Sequence, residues 1–84
     1  MPEKMGAHVR GLTPAQARLL IAMRAGRAQD AWSLSRRVTT LYELEARGLI
    51  TKGRRGWLET TLTEAGRAIR TELLFRADYR DAAE

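Results

Sequence analysis

The sequence predicts a small α+β domain made of three helices and one β-hairpin. Apolar residues recur at helical spacing in three segments, and two short β-type runs flank a turn that contains two glycines. The 84 residues fit one domain, and a domain of this size buries only about 60% of the surface of its unfolded chain. We expect this domain to span residues 12–80, between a flexible N-terminal arm (residues 1–11) and a frayed tail (residues 81–84).

The first helix has a clear start. Thr13 suits the N-cap, Pro14 suits the first helical position, and Gln16 completes a capping box. Gly26 is expected to end the helix in the left-handed conformation. The apolar stripe consists of Leu19, Leu20 and Met23.

The second helix is predicted to begin near Ser33 or Ser35 and to end at Arg47, before Gly48. The connector before it, residues 26–33, has room for a helical turn or a stub of strand, but not for a complete helix with its turns. The predicted apolar face comprises Leu34, Val38, Leu41 and Leu44. The opposite face comprises Ser35, Arg36, Thr39, Thr40 and Glu43.

The hairpin and the last helix follow directly. Strands are predicted over residues 49–51 and 57–62, with Leu58 and Leu62 on one face of the second strand and Trp57 and Glu59 on the other. Thr63 is expected to cap a helix that begins at Glu64 and ends near Tyr79. Its apolar face comprises Ala65, Ile69, Leu73 and Leu74, continued by Phe75 and Tyr79.

The two tryptophans have competing interpretations. An aromatic side chain can stack on nucleic-acid bases, but in a small domain it more often anchors the core. We expect Trp32 to lie in the core, and we leave both interpretations open for Trp57.

A helix that ends at a glycine and leads into a basic hairpin is the winged-helix arrangement. Residues 12–16, 44–50 and 62–67 resemble the winged helix-turn-helix core of MarR-type bacterial regulators. The resemblance covers about residues 12–69. The sequence has a short connector and lacks long flanking helices, and in both respects it is similar to minimal winged-helix proteins of phages and prophages. We therefore expect the second helix of the usual motif to be shortened or missing in this chain. The resemblance implies a DNA-binding regulator whose recognition helix is residues 35–47.

The charge distribution favours an anionic partner. The formal net charge is +5. Residues 18–55 contain nine Lys and Arg against three Asp and Glu, a net of +6, whereas residues 59–84 contain four against six, a net of −2. The positive charge therefore belongs to the helices and hairpin that precede the last helix, as expected of a protein that binds nucleic acid.

Two groups of residues form the predicted DNA site. On the recognition helix, Arg36, Thr39 and Thr40 are expected to reach base edges, with Ser35 and Arg37 closer to the backbone. At the hairpin tip, Lys52, Arg54 and Arg55 are expected to contact phosphates or a narrow minor groove. The alternatives are a solvated helix face, on which Glu43 would repel phosphate, and a winged helix that binds a host or phage protein instead of DNA.

Other classes of function are poorly supported. The chain has no cysteine and one histidine, His8 in the predicted arm, so we expect no metal site, no cofactor and no enzymatic activity. No apolar run is long enough to span a membrane, which predicts a cytoplasmic protein. We expect a homodimer, because the end of the last helix carries apolar side chains beyond the reach of a minimal core: Leu73, Leu74, Phe75 and Tyr79.

Overall fold

Four helices and a two-stranded antiparallel hairpin make up the domain in a computed structural model that describes residues 11–75. The elements in chain order are α1 (Pro14–Ala22), α2 (Ala31–Ser35), α3 (Val38–Ala46), β1 (Ile50–Gly53), β2 (Gly56–Leu62) and α4 (Glu64–Leu74). The predicted α+β class is confirmed, and the arrangement is winged-helix-like. The second helix of the usual motif is present but short. The predicted arm (except Gly11), His8, Tyr79 and the predicted tail lie outside the described residues.

α1 begins as predicted and ends early. The Gln16 N–H donates to Thr13 Oγ1 at 3.1 Å, and the Thr13 N–H donates to Gln16 Oε1 at 3.3 Å, which completes the capping box. The helix ends at Ala22 rather than at Gly26. The physical reason lies in the next turn, where the Gln29 side chain bonds both the N–H and the C=O of Arg24, each at 2.8 Å. These bonds satisfy the Arg24 backbone outside the helix.

The predicted second helix is two helices, α2 and α3, separated at Arg36 and Arg37. Arg36 adopts the left-handed conformation, with φ 59° and ψ 15°, and its N–H donates to the Trp32 carbonyl at 2.8 Å. A left-handed residue ends a helix. Ser35 therefore belongs to the end of α2, Arg36 lies between the helices, and the predicted recognition helix starts at Val38.

The connector before α2 contributes one isolated antiparallel β-bridge to the sheet. Gln29 and Thr60 exchange both backbone hydrogen bonds, at 2.9 and 2.8 Å, so Gln29 pairs with the outer edge of β2. The connector therefore contains both features that its length allows, a stub of strand and a short helix.

The hairpin becomes irregular toward its tip. Ile50, Thr51 and Lys52 pair in register with Leu62, Thr61 and Thr60, and then Gly53 pairs with Gly56. Residues 57–59 consequently bulge from the ladder. The alternation predicted for β2 does not extend through this bulge: Leu58, predicted to share the face of the buried Leu62, is 49% exposed, whereas Trp57 is partly buried against the core.

α3, β1 and α4 meet at one junction. The Gly48 N–H donates to the Glu45 carbonyl and the Leu49 N–H to the Leu44 carbonyl, which forms a Schellman motif at the end of α3. Thr63 then makes two bonds to this turn, from its N–H to the Leu49 carbonyl at 3.0 Å and from its hydroxyl to the Gly48 carbonyl at 2.6 Å. The same hydroxyl accepts the Gly66 N–H and so caps α4, as predicted.

The core lies among α1, α3, the base of the hairpin and the inner side of α4. Its largest fully buried apolar side chains are Leu20, Met23, Leu41, Leu44, Ile50, Leu62 and Leu73. Leu73 is 0% exposed, so the expectation that it lies in a dimer interface is wrong: α4 packs back on α1 and buries this side chain within its own chain. Leu74 is partly buried against the core and Phe75 is exposed. Within the described residues, no helix has the length and apolarity needed to cross a membrane.

Gly66→Ala is expected to destabilise the domain by about 2–3 kcal/mol, because a Cβ at this position would overlap the Leu49 carbonyl oxygen of the junction. Helix propensity alone predicts the opposite sign, a gain of about 1 kcal/mol. Urea denaturation measures the difference. The exposed Ala68→Gly in the same helix is the control and should cost only about 1 kcal/mol. A Gly66→Ala variant as stable as the parent would contradict the close approach.

Candidate nucleic-acid interface

The first turn of α3 is open and lies next to two arginines. Among the helices of residues 11–75, α1, α2 and α4 each have an N-cap side chain that accepts a backbone N–H, from Thr13, Asp30 and Thr63 respectively. The N-cap of α3 is Arg37, which makes no such bond. Arg36 and Arg37 are both exposed beside this turn. A helix N-terminus carries a partial positive charge, so the two guanidinium groups add to it.

Only one of the two predicted threonines is accessible. Thr39 is exposed on α3. Thr40 is 5% exposed, so the prediction that it reaches DNA is wrong. Thr40 lies one turn before Leu44, so it shares the buried face of α3 with Leu41 and Leu44.

Tyr42 lies on the outward side of α3 and links the helix to the hairpin. Its ring is 54% exposed and meets the Trp57 ring edge-on, with centroids 5.3 Å apart. The Lys52 ammonium lies 5.3 Å from the Tyr42 ring centroid and 4.6 Å from that of Trp57. These contacts are short enough for cation–π attraction. They place α3 and the hairpin on one continuous surface.

Tyr42 was not predicted as a site residue, although the sequence contains a signal for it. At 100° per residue, position 42 lies on the side of α3 opposite Leu41 and Leu44. An aromatic residue on the polar side of an amphipathic helix indicates a surface role. Trp57, for which two interpretations were open, is partly buried against the core and also contributes to this surface.

Both carboxylates of α3 are already engaged. The Glu43 carboxylate accepts a hydrogen bond from the Gln16 side-chain amide on α1. The Glu45 carboxylate lies 3.8 Å from the Lys52 ammonium. Lys52 offsets part of the charge of Glu45, whereas the neutral amide of Gln16 orients Glu43 without neutralising it, so the repulsion of phosphate expected from Glu43 is not removed.

The hairpin tip presents Arg54 and Arg55 to solvent. The Glu59 carboxylate accepts the Arg55 backbone N–H at 3.2 Å, which holds the turn and leaves the arginine side chain outside it. The pKa of Asp30 lies below its ordinary value, chiefly because Ser33 donates its hydroxyl and its N–H to the carboxylate. The positive charge of Arg55 makes the smallest contribution to the same lowering. α2 packs against β2 of the hairpin.

Three large apolar side chains that were predicted to be buried are instead exposed. Trp32 is 43% exposed, because Ala31 fills the core position at the start of α2. Leu34 and Val38 are also partly exposed, since the break at Arg36 takes α2 out of phase with α3. The continuous apolar face from Leu34 to Leu44 does not form.

An open groove of about 940 Å³ runs along the other flank of α3, between α1 and the end of α2. Leu34, Arg37, Thr39 and Glu43 contribute to its α2–α3 side, and Arg18 to its α1 side. Its lining mixes apolar, basic and acidic side chains. The groove extends the exposed side of α3 rather than enclosing a small ligand.

The structure brings most of the predicted site residues to one surface. We call this the α3–wing surface and define it as the residues before α3, the outward side of α3 and the hairpin tip: Arg36, Arg37, Val38, Thr39, Tyr42, Ala46, Lys52, Arg54, Arg55 and Trp57. Ser35 is partly buried at its edge, where its hydroxyl accepts the Arg37 N–H at 3.3 Å.

Arg36→Gly is expected to be about 1 kcal/mol more stable than Arg36→Ala, because a left-handed residue with a Cβ is strained by roughly that amount. Both variants remove the same side chain, so the comparison isolates the backbone. Thermal denaturation of the two variants measures the difference. At an ordinary helical position glycine is the less stable of the two, and that order here would contradict the left-handed conformation of Arg36.

Comparison of the chain with protein-family models, with curated proteins and with solved structures finds no match. The α3–wing surface combines four exposed arginines with a helix whose two glutamates each have a partner.

Proposed function

We propose that the protein is a DNA-binding transcriptional regulator that places α3 in the major groove of duplex DNA and the hairpin on the neighbouring backbone. Because the resemblance noted in the sequence implies a phage or prophage regulator, the proposal includes a cytoplasmic location. It rests on the residues of the α3–wing surface and on their charges.

The observation that carries the proposal is the position of the cations relative to α3. Arg36 and Arg37 lie at one end of its exposed side, and Arg54 and Arg55 lie on the hairpin that packs beside it through Lys52. Phosphates border both sides of a major groove, so a helix that enters it needs cations at its flanks rather than along its whole length.

The roles of the cations differ from those expected from the sequence alone. Arg36 was expected to reach base edges from the recognition helix, but it precedes that helix. In the proposal, Arg36 and Arg37 bind phosphate together with the open first turn of α3. Arg54 and Arg55 bind phosphates or enter the minor groove. Lys52 is held between two rings and beside Glu45, and it contributes less.

We expect the logarithm of the association constant for duplex DNA to fall with the logarithm of salt concentration with a slope of roughly −3 to −5, since each phosphate neutralised contributes about −0.9. Fluorescence anisotropy with a labelled duplex of mixed sequence, at several salt concentrations, measures this slope. The double variant Arg54→Ala/Arg55→Ala should reduce the slope by about 2.

The control is Arg67→Ala, which removes one exposed charge from α4, a helix that packs on α1 and β2 rather than on α2 or α3. It should leave the slope unchanged. Absence of binding even near 50 mM salt would refute the proposal, and an equal effect of Arg67→Ala and the hairpin variants would refute the assigned surface.

A second candidate function is a protein-interaction module. The observation that favours it is the exposure of Trp32, Leu34, Val38 and Tyr42 on α2 and α3, since clusters of exposed apolar side chains mark protein interfaces. α3 also contains no lysine or arginine. A protein partner would be held by these apolar side chains, with the arginines at the rim.

The two candidates predict opposite effects of two matched variants. If the partner is a protein, Leu34→Ser should abolish copurification of that protein with the domain, whereas Arg54→Ala/Arg55→Ala should reduce it only modestly. For DNA, Leu34→Ser should have little effect and the double arginine variant a large one. Duplex binding and copurification, measured on the same preparations, distinguish the two functions.

A further inference from the structure

We infer that the outward side of α3 selects the methyl groups of thymine, so that the preferred duplex is rich in A·T pairs. The inference rests on the proposed function and specifies what the helix reads. It follows from which side chains α3 can offer to the edges of bases, and which of its polar groups are already engaged.

α3 lacks the side chains that read purines by hydrogen bonding. Guanine is read in the major groove by arginine or lysine, and adenine by asparagine or glutamine. None of these residue types occurs among the nine residues of α3. Arg36 and Arg37 precede the helix, and in the proposed function they bind phosphate.

α3 is also poorly equipped to read cytosine. A glutamate can accept a hydrogen bond from the cytosine amino group. However, Glu43 accepts from Gln16, and Glu45 lies beside Lys52. Each carboxylate is oriented by its partner, Glu43 toward α1 and Glu45 toward the hairpin, although its second oxygen can still accept a hydrogen bond.

The remaining outward side chains present methyl groups or an aromatic ring, together with the hydroxyls of Thr39 and Tyr42, which do not distinguish one base from another. Val38, Thr39 and Ala46 are exposed and present methyl groups, and Tyr42 presents its ring beside them. In the major groove the apolar feature is the C5 methyl group of thymine, which alanine, threonine and aromatic side chains contact. Apolar side chains on a helix that carries no purine-reading group therefore favour thymine over the other bases.

The flanking charges agree with the same preference. Arginines at a hairpin tip are attracted to the narrow minor groove of A·T-rich DNA, where the negative potential is enhanced. Arg54 and Arg55 form the exposed turn of the hairpin next to α3. One A·T-rich site would satisfy both the helix and the hairpin.

The test compares three pairs of duplexes that differ only in major-groove methyl groups or in base pairs. An A·T duplex is paired with the same duplex in which deoxyuridine replaces every thymidine. A G·C duplex is paired with the same duplex containing 5-methylcytosine. The A·T and G·C duplexes form the third pair. We expect loss of thymine methyls to weaken binding about four- to fifteenfold, from one or two buried methyl groups at about fourfold each.

Matched variants assign the effect to α3. Val38→Ala/Thr39→Ser removes methyl groups but keeps the Thr39 hydroxyl, and both side chains are exposed, so the fold should be retained. This variant should bind thymine and uracil duplexes within about twofold of each other. Arg55→Ala, the control, should weaken both duplexes while leaving their ratio unchanged. Circular dichroism checks the fold of each variant.

The outcomes separate this inference from the proposed function. Salt-dependent binding with equal affinity for thymine and uracil duplexes, or a preference for G·C, overturns the inference and leaves DNA binding in place. A thymine preference that survives in Val38→Ala/Thr39→Ser overturns the assignment to the methyl groups of Val38 and Thr39. A higher affinity for the G·C duplex that contains 5-methylcytosine than for the unmethylated G·C duplex supports the inference, because this pair does not differ in A·T content. Failure to bind any duplex overturns the inference and the proposed function together.

Discussion

The carbonyl group of Leu49 is the point on which the geometry of the domain depends. It accepts the Thr63 N–H, and it lies where any side chain at position 66 would have to go. The Schellman turn at Gly48 brings the chain out of α3 directly before it. One short stretch therefore sets the angle between α3, the hairpin and α4. The α3–wing surface has a defined shape because this junction leaves these elements little freedom relative to one another.

A second contact set fixes the outer part of that surface. Lys52 lies against Tyr42 of α3 and Trp57 of β2, while Glu45 approaches it from α3. Near the tip the strands no longer pair regularly, so backbone hydrogen bonds alone would hold the hairpin weakly. The side chains compensate for this irregularity. α3 and the hairpin consequently meet a partner as one preorganised body, which lowers the entropy lost on binding.

Much of this architecture could be predicted, because the signals were local. The capping box at Thr13, the cap at Thr63 and the glycine turn at Gly48 each operate within a few residues, and all three are confirmed. The break at Arg36 was missed, since Ser-Arg-Arg is compatible with a continuous helix and the left-handed conformation depends on tertiary packing. The break puts α2 out of phase with α3, so Leu34 was assigned to the wrong side. Thr40 was misassigned for a separate reason, since it lies one turn before the buried Leu44 on the same helix. The basic residues at the hairpin tip could be predicted from charge and turn residues, because neither depends on which side of a helix a residue occupies.

The separation between the arginines and the core has an evolutionary consequence. Arg36, Arg37, Arg54 and Arg55 are all exposed, and the core apolar side chains lie elsewhere. Mutations at these four positions can therefore raise or lower the charge of the surface while the domain continues to fold. Lys52 is different, because its ammonium group both carries charge and holds the hairpin against α3. Loss of this lysine changes the shape of the surface as well as its charge. Substitutions at position 52 are therefore more constrained than substitutions at the four arginine positions.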